Sequence, residues 1–152
     1  LVGSEMCIRD SLSERQWNMH PRWLDRAEAK ALEVNGYTRE SWDAKGVVLH
    51  DQAMREYADL TENCILIGYN AWYDWTMIEA ELKRQSVEWK GDYHVIDVAS
   101  MIFPKFATNE SAESISLSSM CSSLGISNEG AHTGKADVHR TLELYKVAIR
   151  AN

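Results

Sequence analysis

The sequence predicts an α/β fold, a sheet flanked by helices, and three observations support it. Residues 64–69 (CILIGY) form a short, continuous apolar run rich in Ile and Leu, as expected of a strand buried on both faces. Residues 93–98 (YHVIDV) give a second such run. The stretches around them carry apolar residues at helical spacing, so the order reads β-α-β-α-β-α. With 152 residues, 45% apolar and 26% charged, the chain is long enough for one buried core and too apolar for general disorder.

Each element has a local reason. Residues 16–23 (QWNMHPRW) alternate Trp17 and Met19 before His20-Pro21 and read as the tail of a strand leaving a sheet. A short helix over 26–35 stops at Asn35-Gly36, and Tyr37-Thr38 turn the chain. A helix over 50–61 places Ala53, Met54, Tyr57 and Leu60 on one face. After the 64–69 strand, Asn70 is expected to cap a helix over 71–84 whose core stripe is Trp75, Ile78 and Leu82. The strand at 93–98 leads into one helical turn over 99–103, which Pro104 should stop. Residues 105–114 are polar and read as a loop. A helix over 116–124 buries Leu117, Met120, Cys121 and Leu124 before Gly125, and 130–134 (GAHTG) feed a last helix over 135–151 with a Val138, Leu142, Tyr145, Ile149 stripe. Two clear strands are few for so many helices, so a partner for 64–69 is missing or short. An unpaired edge there would be a template for association.

Composition excludes several classes. No apolar run approaches the ~20 residues that span a bilayer. Acidic residues outnumber basic ones by 23 to 16, a net charge of -7, which does not suit coating long nucleic acid by charge alone. Gripping only a strand end through metal ions remains compatible with that charge. Cys7, Cys64 and Cys121 are an odd number without a C-x-x-C pair, which argues against a disulfide framework or zinc ribbon and favours a reducing compartment, the cytoplasm. Residues 1–11 (LVGSEMCIRDS) have neither the basic nor the apolar region of a signal peptide. They read as a non-native leader, with 12–152 as the partial domain.

Two groups stand out chemically. In 68–74 (GYNAWYD) an apolar strand delivers Asp74 to the first turn of a helix; in 132–137 (HTGKAD) a loop His132 precedes Asp137 in the first turn of another. Strand ends and helix starts are where α/β sheets present functional side chains. Taken singly, either aspartate is more often structural, favoured by the helix dipole alone.

In order and context the two groups resemble the second and third motifs of the DEDDh (DnaQ-like) 3′–5′ exonucleases. N-A-x-aromatic-D appears as Asn70, Ala71, Trp72, Tyr73 and Asp74, and H-x4-D as His132 through Asp137. The flanks agree: a strand-end Asp97 and the leucine-bearing 117–126 (LSSMCSSLGI) lie between them, and 29–38 (AKALEVNGYT) looks like the family's helix-then-Gly segment. The likeness runs from about residue 17 to the end. It implies a ribonuclease H-like mixed sheet flanked by helices, here lacking most N-terminal strands. It also implies two Mg²⁺ or Mn²⁺ ions, which suit oxygen donors and can both activate water and clamp a phosphodiester. Asp74 and Asp137 would be metal ligands and His132 the general base. Asn70, Gly36, Tyr37, Tyr73 and Lys135 would meet the substrate, the 3′ end of single-stranded nucleic acid, and a DNA polymerase is a further candidate partner. Gly134 and Ala136 are small enough to let a strand end approach.

Other residues read more plainly. Trp72, Tyr73 and Trp75 near Asp74 invite base stacking, but at helical spacing most of the tryptophans and their aromatic neighbours should be core. Lys83, Arg84, Lys135 and Arg140 read as solvated faces, with Lys135 the one placed to meet phosphate. Asp97 reads as a structural carboxylate. The resemblance also has a gap: the family's first motif, D-x-E on the central strand, is absent, since no Asp here is followed two residues later by Glu. Asp74 and Asp137 alone would hold at most one ion weakly. The expected function is a metal-dependent 3′–5′ exonuclease domain with this chain itself inactive; a non-catalytic module binding a strand end or a polymerase is the alternative.

Overall fold

A computed structural model describes residues 13–107 and 114–150. The leader reading (1–11) and the middle of the polar 105–114 loop lie outside them. In chain order a 3-10 turn at Leu24–Arg26 is followed by α1 (Ala29–Val34), α2 (Arg39–Ala44), α3 (His50–Leu60), β1 (Leu66–Gly68), α4 (Ala71–Arg84), β2 (Val95–Asp97), α5 (Val98–Phe106), α6 (Leu117–Ser123) and α7 (Gly134–Arg150). The chain is mixed α/β and mostly helical.

Among the described residues the sheet has two strands. β1 and β2 are parallel, with Leu66 opposite Val95, Ile67 opposite Ile96 and Gly68 opposite Asp97. The expected strand tail at 16–23 reduces to one parallel bridge, Asn18 to Val47, with the Val48 N–H donating to the Asn18 carbonyl at 3.0 Å. Both strands are shorter than the stretches expected: β1 leaves out exposed Ile65, and β2 begins after exposed Tyr93 and gives way to α5 at buried Val98.

The core has two parts. On one side α3 and α4 enclose Trp17, Ala53, Met54, Tyr57, Ile78 and Leu82. On the other, α5, α6 and α7 bring Val98, Ile102, Met120, Cys121 and Leu144 against Ile67 and Ile96 of the sheet. Glu81 of α4 anchors the segment before the first turn. It pairs with Arg22 and Arg84, lies 3.0 Å from His50 Nδ1, and accepts from Gln85 at 2.7 Å. Burial works to raise the Glu81 carboxyl, but these donors win and hold it at about 2.

Four elements depart from expectation. The 26–35 helix splits into the 3-10 turn and α1. Helix α2 was unexpected, because RESWDA has no apolar period; it starts on a reciprocal capping box between Thr38 and Ser41. α5 runs through Pro104 to Phe106, which is buried in the second core cluster, so packing outweighs the lost N–H. The buried face of α7 is rotated from the expected stripe and centres on Arg140, Leu144 and Tyr145.

Candidate active site

β1 ends in a tight corner. A Cβ on Gly68 would meet the Ala71 Cβ at 3.0 Å, tight enough that the strand turns into α4 most easily with glycine there. Asn70 takes the left-handed conformation there (φ 56, ψ 44). The expected capping by Asn70 does not occur: it occupies the N-cap position, but in that conformation its side chain caps nothing and stays exposed. The work is done from the neighbouring strand. Asp97 Oδ1 accepts from the Ala71 N–H at 3.3 Å, and its Oδ2 accepts from the Ser100 N–H at 3.1 Å and the Ser100 hydroxyl at 2.5 Å. One carboxylate therefore starts both α4 and α5. Burial pushes Asp97 up, yet the Ser100, Ala71 and Asn70 donors outweigh it and hold the group below its ordinary value. Its structural reading is confirmed.

Asp74 lies in the first turn of α4, and no side chain hydrogen-bonds it among the described residues. The residue is exposed, but protein around its carboxyl displaces water and raises it above the ordinary 3.8. A raised acid loses stability when ionised, so the penalty is present above the folded value and disappears as pH falls below the unfolded one. Asp74→Asn should therefore raise the melting temperature at pH 7 by about 2 °C, the gain shrinking as pH falls and gone below about pH 4. Differential scanning fluorimetry at the two pH values checks this; an unchanged or lower midpoint at pH 7 contradicts it.

The second motif opens α7. His132 is left-handed (φ 70) and exposed, and its backbone N–H donates to Asp137 Oδ1 at 3.3 Å. Thr133 accepts from the Ala136 N–H at 3.4 Å and starts the helix. Asp137 also binds the guanidinium of Arg140. Arg140 is the clearest correction to the sequence reading: far from solvated, it is 5% exposed and also donates to Asn128 Oδ1 and Ser118 Oγ. The expectation followed helical polarity alone, and nothing in the sequence marks Asn128 as its partner.

Two groups near the motifs titrate above their ordinary values. Burial, then Asp97 and Cys121, push the Tyr69 hydroxyl up to about 12. Burial also raises the Cys121 thiol, which feels Arg140 and Asp137. Cys121 and Leu144 of α7 share a core cluster that Tyr69 packs against, so packing is what relates the strand end to that helix. His132 and Asp137 meet directly, while no hydrogen bond or ion pair joins Asp74 to either of them.

The remaining candidates are dispersed. Tyr37 is half-buried, its hydroxyl 3.0 Å from His20 Nδ1, while His20 Nε2 lies 2.9 Å from Asp43. Gly36 beside it is left-handed with open space around it. Tyr73 and Trp72 are 72% and 60% exposed, not core; Trp75 packs against the first core cluster as expected. Lys135 pairs with Glu14 at 3.0 Å. As for metal, Asp74 and Asp137 are suitable oxygen donors, but one oxygen of Asp137 is already engaged. Among the described residues no three His, Cys, Asp or Glu side chains gather where they could hold an ion. This donor set does not make up the two-ion site that the resemblance implies. No helix among the described residues is long and apolar enough to cross a membrane.

A family model described as exonuclease (RNase_T) matches residues 7–145. No curated protein and no solved structure matches the chain significantly. The match takes in both motifs and every helix from α1 to α6, and it ends within α7: the chain belongs to the exonuclease family.

Proposed function

We propose that this is a domain of the DEDDh type, a metal-dependent 3′–5′ exonuclease that hydrolyses terminal phosphodiesters to nucleoside 5′-monophosphates, and that the chain as it stands is inactive. The observation behind the first part is the pairing of His132 with Asp137 in the first turn of α7, within a chain the exonuclease family model matches. His132 meets Asp137 through its backbone N–H, and its exposure leaves the imidazole open to water, as a base that takes a proton from attacking water requires. The strand-end corner at Gly68 presents Asn70, Tyr73 and Asp74 outward, where a nucleotide end has access. Gly36 and Tyr37 are assigned to the terminal base and Lys135 to phosphate. The ribonuclease H-like sheet is part of the same reading, supported by the parallel β1–β2 pair and its flanking helices.

The inactivity rests on the donor set: without D-x-E, too few oxygens converge for two ions. Incubated with Mn²⁺ and 3′-end-labelled single-stranded DNA, the chain should release little or no mononucleotide. Robust release overturns the inactivity. The same missing donors favour a second reading, a non-catalytic module that binds a strand end or a polymerase. The gene's full coding sequence discriminates. An Asp-x-Glu on an apolar run there, in a product that digests from the 3′ end, supports the nuclease; an intact start lacking it supports the module.

A further inference from the structure

We propose that Arg140 is the positioning residue of the 132–137 motif: its guanidinium locks Asp137 and, through it, holds His132 in the left-handed conformation. The proposal rests on the nuclease reading only for the importance of His132. A guanidinium taken out of water is costly unless its donors are met, and Arg140 is 5% exposed. One nitrogen binds Asp137; the other donates to Asn128 Oδ1 at 2.5 Å and Ser118 Oγ at 3.2 Å. A single side chain thereby ties together the first turn of α7, the loop before it and α6. Its Nε–H has no partner among the described residues, so the fork alone fixes the head.

The loop needs such a tie. His132 sits at φ 70, a region a non-glycine residue occupies at a cost, which contacts around it must offset. The His132 N–H points at Asp137 Oδ1, the same oxygen Arg140 binds. Asn128, the other partner of the fork, starts the turn, its carbonyl accepting from the Ala131 N–H at 3.1 Å, and the Gly130 carbonyl accepts from Thr133 at 3.1 Å. Arg140 thus grips both ends of the segment that presents His132. A lysine has the charge but not the planar fork, and cannot serve three acceptors in that geometry.

Amide hydrogen exchange by NMR on the chain itself tests this without metal or DNA. Arg140→Gln and Arg140→Lys should each speed exchange at His132 and Thr133 by about tenfold, with α3 amides unchanged. In a His132→Gly background, where glycine accepts a positive φ unaided and no strain is recovered on release, the melting-temperature loss from Arg140→Gln should be larger than in wild type. A merely structural arginine would give equal losses in both backgrounds. Asn128→Ala, which removes one acceptor and leaves Asp137 paired, is the milder variant if Arg140→Gln does not fold; it should accelerate the same two amides. Unchanged exchange at His132, acceleration spread evenly over the molecule, or equal losses in the two backgrounds overturns the proposal. A chain that does not cut DNA leaves these readouts intact, so the clamp and the nuclease reading fail separately.

Discussion

Asp97→Ala should lower the melting temperature at pH 7 by about 5–10 °C, corresponding to about 2–3 kcal/mol at this chain length. The Asp97 carboxylate accepts from the Ala71 N–H, the Ser100 N–H and the Ser100 hydroxyl, so its removal orphans donors at the starts of two helices at once. The pH dependence identifies the group. The folded carboxyl is held below 3.8, so its contribution is present above that value and is lost as pH falls through the folded one. Wild type and variant should therefore differ most near neutrality and converge in acid. Asp97→Asn keeps one acceptor oxygen and should recover about half of the loss. Thermal melts from pH 2 to 7 decide the matter; an alanine variant melting within about 1 °C of wild type at pH 7 would show that water caps these helices as well as Asp97 does.

Asp97 also shows which features the sequence displays and which it hides. A strand-end carboxylate is visible as a residue, and its structural character follows from its place after an apolar run. Its second helix is not visible, because Ala71 lies 26 residues away and only strand pairing brings it near. The same holds for Arg140, whose partners Ser118 and Asn128 come from other elements. Helices α3 and α4 were legible because each keeps one apolar face: Ala53, Met54, Tyr57, Ile78 and Leu82 are all buried as their spacing demands. α7 was harder. It packs against α5 and α6, so its buried face turned to include Leu144, fully buried, while Val138, Leu142 and Ile149 were left only half-buried. The motifs at 70–74 and 132–137 were legible as patterns. Their backbone was not: Asn and His enter the left-handed region more readily than most residues, but too seldom for the sequence to show that Asn70 and His132 do.

The corner opposite Asp97 gives a second large expected effect: Gly68→Val should cost about 2–3 kcal/mol, a fall of about 5–10 °C in melting temperature. Gly68 pairs in register with Asp97, and a Cβ there would sit 3.0 Å from the Ala71 Cβ and 3.2 Å from its Cα. Ala71 is fully buried at the start of α4 and cannot retreat without pulling on its N–H bond to Asp97. The single methyl of Gly68→Ala should cost about half as much, because a shift of a few tenths of an ångström accommodates it. The cause can be isolated with a suppressor. Ala71→Gly removes the 3.0 Å contact but keeps the 3.2 Å one, so it should restore part of the loss in Gly68→Ala while destabilising the wild-type chain. Additive losses in the double variant would mean that Gly68 is needed for strand flexibility and not for room. If the effects couple as expected, the tight corner and the Asp97 cap act as one device, and the orientation of the helix start that carries Asp74 depends on both.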